Sequence, residues 1–131
     1  MPRPRVLVTG ATGFLGPFAV AELARRATVV TLARRGTDLE VDIADAEALR
    51  AAVATTHPDF VLHLAALARI GECERDPDRA RAVNTESPAV LADLLGPRLL
   101  FVSTDMVFDG RRAPYAPLDP VAPLSVYGQT K

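Results

Sequence analysis

Tryptophan is absent from the 131 residues, and cysteine and lysine occur once each, as Cys73 and Lys131. A single cysteine cannot close an internal disulfide, so nothing in the chain points to an oxidising compartment. Cys73 is read as an ordinary thiol in a loop or helix, with no neighbour that would activate it. No apolar run approaches the ~20 residues a membrane helix needs. The opening VLV run is broken by Thr9, Gly10, Thr12 and Gly13 too early to act as the core of a signal peptide. Net charge is −1, which gives neither a basic field for nucleic acid nor a polybasic patch for a membrane. The two histidines, His57 and His63, stand at no metal-ligand spacing, so no metal is expected. His57 reads as a surface loop residue and His63 as a packed strand residue. These absences lead to the expectation of a cytoplasmic protein without nucleic-acid or membrane partners.

What is present is an alternation of strand-length apolar runs with helical patterns. RVLVT at 5–9 is continuously apolar, as in a strand buried on both faces of a parallel sheet. A helix is expected over 14–26 and a β-branched strand over 28–33. Asp45 can cap a helix over 46–55, and FVLHL at 60–64 is the next strand. Asp76-Pro77 looks like an N-cap followed by proline, Ser87-Pro88 repeats that signal, and Gly96-Pro97 ends the segment. One bent helix or two over 77–95 both fit. A strand over 98–103 follows, then an irregular Pro-, Asp- and Gly-rich stretch over 104–126 and a helix starting near Tyr127. At this length one domain is expected, spanning 1–131. The alternation argues for an α/β, doubly wound parallel sheet with right-handed crossovers. A ligand then belongs beyond the carboxyl ends of the strands, where Gly10, Leu64-Ala65-Ala66 and Ser103-Thr104 all fall.

The residues at that rim carry chemistry. Gly10, Gly13 and Gly16, in GATGFLG, are spaced GxxGxxG directly after the first strand. Small residues there let backbone approach a phosphate, and the helix start offers free N–H groups, so Gly10, Thr12, Gly13, Phe14, Leu15 and Gly16 form a candidate dinucleotide turn. The second strand ends in Ala33-Arg34-Arg35 where an acidic residue would read an NAD ribose. An arginine there suits a 2′-phosphate, so NADP is favoured over NAD, with Arg34 as its partner. Asp42 could accept from an adenine amino group, with Ile43 against the ring. Tyr127 and Lys131 stand at i and i+4 and share a helix face. An ammonium there makes a phenol a better proton donor to an alkoxide formed by hydride attack. Thr104 would hold the substrate oxygen.

TGATGFLG, HLAA at 63–66, VNTES at 83–87 and YGQTK at 127–131 together resemble the extended short-chain dehydrogenase/reductase family, with its NAD(P)-binding Rossmann-like fold. STDMVFDG at 103–110 and PYAPLDPVAPLSVYGQTK at 114–131 are most similar to its reductases of nucleotide-linked 4-keto deoxysugars. The resemblance implies an NADPH-dependent oxidoreductase acting on a nucleotide-sugar. Thr104 would position the carbonyl, Tyr127 donate the proton, and Lys131 bind nicotinamide ribose and tune Tyr127. Asn84 would support the shape of the site, and a homodimer is implied for the full-length form. Met106 and Pro117 depart from the pattern, standing where an aromatic and a glutamate are usual. Two other readings stay open: a nucleotide-sugar epimerase or dehydratase, and a non-catalytic cofactor-binding regulatory subunit. Family members continue past the lysine into a smaller domain that grips the nucleotide sugar. The chain is therefore expected to be an incomplete cofactor domain, with a Tyr127–Lys131 segment that frays unless tied down, an uncovered sheet edge and no useful turnover alone.

Overall fold

A computed structural model describes all residues from Met1 to Lys131. Five parallel strands are arranged β3-β2-β1-β4-β5: β1 (Arg5–Thr9), β2 (Thr28–Ala33), β3 (Leu39–Glu40), β4 (Phe60–His63) and β5 (Leu99–Phe101). The order reverses at β1, whose neighbours β2 and β4 are reached by crossovers on opposite sides, so the carboxyl end of β1 is the switch point where such sheets bind ligands. Helices α1 (Gly16–Leu23), α2 (Ala46–Thr56), α3 (Ile70–Arg75), α4 (Pro77–Arg81), α5 (Ser87–Leu95) and α6 (Val126–Thr130) complete the order.

The strands alternate their apolar residues between two cores. Leu7 of β1 joins Leu32, Val61, Leu49, Leu91 and Leu95 in the larger cluster under α2 and α5. Val6 and Val8 point the other way, with Ala11 and Ala27, toward Val20 and Leu23 of α1. Burying one leucine such as Leu7 contributes about 1.5–3 kcal/mol, so β1 anchors both layers and holds the following turn in place.

Several elements differ from expectation. The first helix begins at Gly16 and ends at Leu23, shorter at both ends than 14–26. Residues 10–15 are spent on the turn, and no side chain caps the helix start. The strand expected over 98–103 pairs only from Leu99 to Phe101. The short strand β3 and helix α3 went unread, because neither is long enough to show a period. Over 77–95 there is one continuous helical path, with a π-turn over Ala82–Glu86 joining α4 to α5. Asp76 caps α4 through Arg79 N–H as expected. Ser87, however, starts no new cap. Its hydroxyl donates back to the Val83 carbonyl at 2.7 Å, and its N–H reaches the Ala82 carbonyl five residues back. Pro88 supplies the reason: in a plain α-helix its ring would collide with the Asn84 carbonyl and leave it without a donor. One wider turn absorbs that misfit.

Candidate functional site

The chain leaves β1 at Thr9 and turns at Gly10, whose φ is +67°. A Cβ there would lie 2.6 Å from the Ala65 nitrogen, so glycine is required both by conformation and by the approach of the β4 exit. Ala65 N–H donates to the Thr9 hydroxyl at 3.3 Å and Leu64 N–H to the Thr9 carbonyl, which pins Leu64-Ala65-Ala66 opposite the turn. Gly16 also admits no side chain, but its tight contact is with the Ala11 carbonyl of the turn itself and not with a strand. The N–H groups of Thr12, Phe14 and Leu15 donate to no backbone carbonyl. They stand at the start of α1, where free amides and the helix dipole favour an anion.

A cleft of about 800 Å³ opens beside this turn. Its lining includes Gly10, Thr12, Gly13, Leu64, Ala65 and Ala66 at one end, and Arg34, Asp42 and Ile43 at the other. The structure thus gathers these nine expected residues around one space. Phe14, Leu15 and Gly16 are not part of its wall, and the Phe14 side chain stands out in solvent at 88% exposure. Thr104, Tyr127 and Lys131 also lie outside the cleft, further along the same carboxyl rim at the exit of β5.

The Asp42 carboxylate is already engaged. Arg79 of α4 donates from one Nη to both its oxygens, at 2.9 and 2.8 Å, and Ala44 N–H donates to Oδ1 at 3.1 Å. Partial burial alone would raise the Asp42 pKa, but Arg79, the Ala44 amide and the charge of Arg34 outweigh it and hold the carboxyl below its ordinary range. Arg79 lines the same cleft and was not foreseen, because 37 residues separate it from Asp42. A pair this exposed stabilises a fold by only about 0.2–1 kcal/mol.

Helix α6 is tied down at both ends. Ser125 caps it through Gly128 N–H, and Glu74 of α3 accepts Val126 N–H at 2.9 Å. Gly128 presses so closely on β5's exit loop that a Cβ would lie 2.3 Å from the Met106 carbonyl. Asn84, fully buried in the π-turn, accepts Leu67 N–H at 2.8 Å and donates to the Leu67 carbonyl and to Thr130 Oγ1, both at 3.0 Å. Thr85 donates to the Thr130 carbonyl. Lys131 Nζ donates to the Val102 carbonyl at 2.7 Å and sits 4.4 Å from the Phe101 ring centroid. Burial pushes its ammonium below the usual lysine range. Thr104 accepts Met106 N–H, which starts a short turn two residues from the Gly128 contact.

Beneath the rim, buried His63 bridges Thr9 (Nδ1 to Oγ1, 2.6 Å) and Ser87 (Nε2 to Oγ, 3.4 Å) and stacks on Phe101. Because the Ser87 hydroxyl gives its proton to Val83, it accepts from Nε2–H, and Nδ1 accepts from Thr9. Burial first, and then the Lys131 charge, lower the His63 pKa from 6.5 to about 4. Cys73, buried in α3, donates to the Leu67 carbonyl, and burial raises its pKa. No three acidic, cysteine or histidine side chains converge as a metal site would require.

A parallel sheet with its glycine turn at the switch point defines the class: a Rossmann-like domain of the kind that holds a dinucleotide. Comparison with known proteins names the family. The RmlD substrate binding domain profile matches residues 4–131, and the chain belongs to that family. It is 45% identical to a dTDP-4-dehydrorhamnose reductase of Streptomyces griseus, over 99% of this chain and 43% of that one. It is 37% identical to methionine adenosyltransferase 2 subunit beta of Danio rerio, over 99% of this chain and 42% of that one. Among solved structures, dTDP-4-dehydrorhamnose reductase from Bacillus anthracis, in complex with NADP, superposes with a TM-score of 0.88 at 27% identity. That match covers 99% of this chain and 47% of the other. The chain spans less than half the length of each of these relatives.

Proposed function

We propose that the chain forms the cofactor-binding half of an NADPH-dependent reductase that acts on the 4-keto group of a dTDP-linked deoxysugar. The observation that carries this reading is the docking of α6. Gly128 against Met106 and Lys131 against Val102 bring the Tyr127 helix onto the strand exit that bears Thr104, on the rim that begins at the glycine turn.

The residues present fit the dinucleotide. Gly10 lets the turn close against the β4 exit, and the amides of Thr12, Phe14 and Leu15 that follow it, free of backbone partners, suit the diphosphate. Arg34 and Arg35 stand where a 2′-phosphate would be met, and no carboxylate follows β2 directly, so NADPH is favoured over NADH. Asp42 and Ile43 would receive adenine. When bound, the cofactor supplies the hydride. Tyr127 gives its phenolic proton to the sugar oxygen as negative charge develops there, and Thr104 donates a hydrogen bond to the same oxygen. Lys131, seated on the Phe101 ring, places positive charge near the phenol and offers N–H donors to ribose hydroxyls. The similarity to a Streptomyces reductase and the NADP-bound relative support this chemistry. The chain is read as one NAD(P)-binding domain over 1–131.

The test is a chimera in which residues 1–131 replace the matching portion of the Streptomyces griseus reductase. Oxidation of NADPH in step with reduction of a dTDP-4-keto-6-deoxysugar is expected, with kcat reduced by about 10²–10⁴-fold in Tyr127→Phe. A folded chimera that binds NADPH yet reduces no such sugar would contradict the reading. The similarity to methionine adenosyltransferase 2 subunit beta favours a second reading, a cofactor-binding regulatory subunit. Copurification with a larger enzyme, without NADPH consumption on keto sugars, would support it.

A further inference from the structure

The Asp42–Arg79 pair joins the loop after β3 to the first turn of α4, and both side chains line the cleft. A carboxylate offers about four lone-pair sites. Oδ1 accepts from both Ala44 N–H and Arg79, while Oδ2 accepts from Arg79 alone. One acceptor site therefore remains, on Oδ2. Arg79 is itself held in place, because its own N–H donates to the Asp76 cap at 2.9 Å, so the guanidinium emerges from an anchored backbone. Ile43, buried and next in sequence, lines the same end of the cleft and offers an apolar surface to a flat ring.

We propose that Arg79 is a positioning residue that sets base specificity: by clamping Asp42 it leaves a single, oriented acceptor, which matches the 6-amino group of adenine and rejects a purine carrying oxygen there. This rests on the dinucleotide reading above. A 6-oxo purine would bring its own lone pairs against an ionised carboxylate that Arg79 holds in place. Without Arg79, the carboxylate turns about its own axis and hydrogen-bonds water as readily as a base, so the distinction between the two purines fades.

The experiment measures equilibrium binding of NADPH and of its hypoxanthine analogue to the protein by calorimetry. Native protein should bind the adenine form at least about tenfold more tightly, the worth of a hydrogen bond to a charged acceptor. Arg79→Met keeps the aliphatic stem and loses the clamp. In it the preference should fall below about threefold, mostly by weakening NADPH, while the analogue's affinity stays within about twofold. A merely structural role would weaken both ligands equally. Circular dichroism reports whether the variant folds, and Arg79→Gln serves the same comparison if it does not. Equal weakening of both ligands, or an unchanged preference, would overturn the role of Arg79 alone. Native protein that binds NADPH without preferring adenine would overturn it too. Failure of native protein to bind any pyridine dinucleotide would instead remove the cofactor reading on which the proposal stands.

Discussion

Two residues show what fixes the site at atomic scale. Gly10 combines a positive φ with a would-be Cβ contact to backbone, which cannot move aside as a flexible side chain can. Gly10→Ala is expected to cost about 1–3 kcal/mol in denaturant unfolding and to reduce NADPH affinity at least about tenfold, because the diphosphate cradle is displaced. An alanine protein with native affinity would refute the cradle. Gly10 was legible because its spacing and its place after an apolar run are local facts. Arg79 was not, because its meaning arises only when α4 folds against the loop after β3. His63 lay between these cases: alternation along β4 showed that it is packed, but its partners Thr9 and Ser87 come from two other elements.

At the scale of elements, the π-turn and α6 form one unit. Asn84 ties the β4 exit loop to Thr130, so Asn84→Ala leaves the part-buried Leu67 N–H without its partner and unlinks Thr130, whose hydroxyl still donates to the Val126 and Tyr127 carbonyls. A loss of about 1–3 kcal/mol in denaturant unfolding is expected, together with weaker docking of Tyr127. Gly128→Ala should spare the sheet but lift α6 from Met106, which predicts a native-like melting of the core with reductase activity lost in the chimera. Full activity in Gly128→Ala would show that the close approach does not matter. Four of the five strands were readable from apolar or β-branched runs, and α6 was expected to start near Tyr127. Whether 77–95 is one bent helix or two stayed open in the sequence, because Ser-Pro is a helix-start signal in isolation. Only the bond from Ser87 back to Val83 shows that the chain was already helical there. The ties that hold α6 were not legible for a similar reason, since Glu74, Asn84, Thr85 and Val102 all reach it from distant sequence.

Across the whole molecule, protonation links the rim to stability. His63 takes up a proton below 6.5 when the chain is unfolded but only near 4 when folded. The unfolded state therefore binds more protons between these values, and stability falls as pH drops through that window and is flat above it. The full effect is about 3 kcal/mol. His63→Gln should remove the slope between pH 6.5 and about 5, before carboxylates contribute, as followed by urea denaturation at a series of pH values. The parallel, doubly wound character of the sheet followed from the alternation of strands and helices in the sequence, whereas the strand order did not, because β3 is too short to show a period. The spatial separation along the rim was not legible either: the glycine turn, Arg34 and Asp42 share the cleft, while Thr104, Tyr127 and Lys131 lie outside it at the β5 exit.

The account stands or falls on where a dinucleotide lies. In a crystal structure of the protein with NADPH, the diphosphate is expected on the amides of Thr12, Phe14 and Leu15, the 2′-phosphate at Arg34, and the nicotinamide directed toward Tyr127. Density for the cofactor at any other surface, or a nicotinamide pointing away from Tyr127, would contradict it.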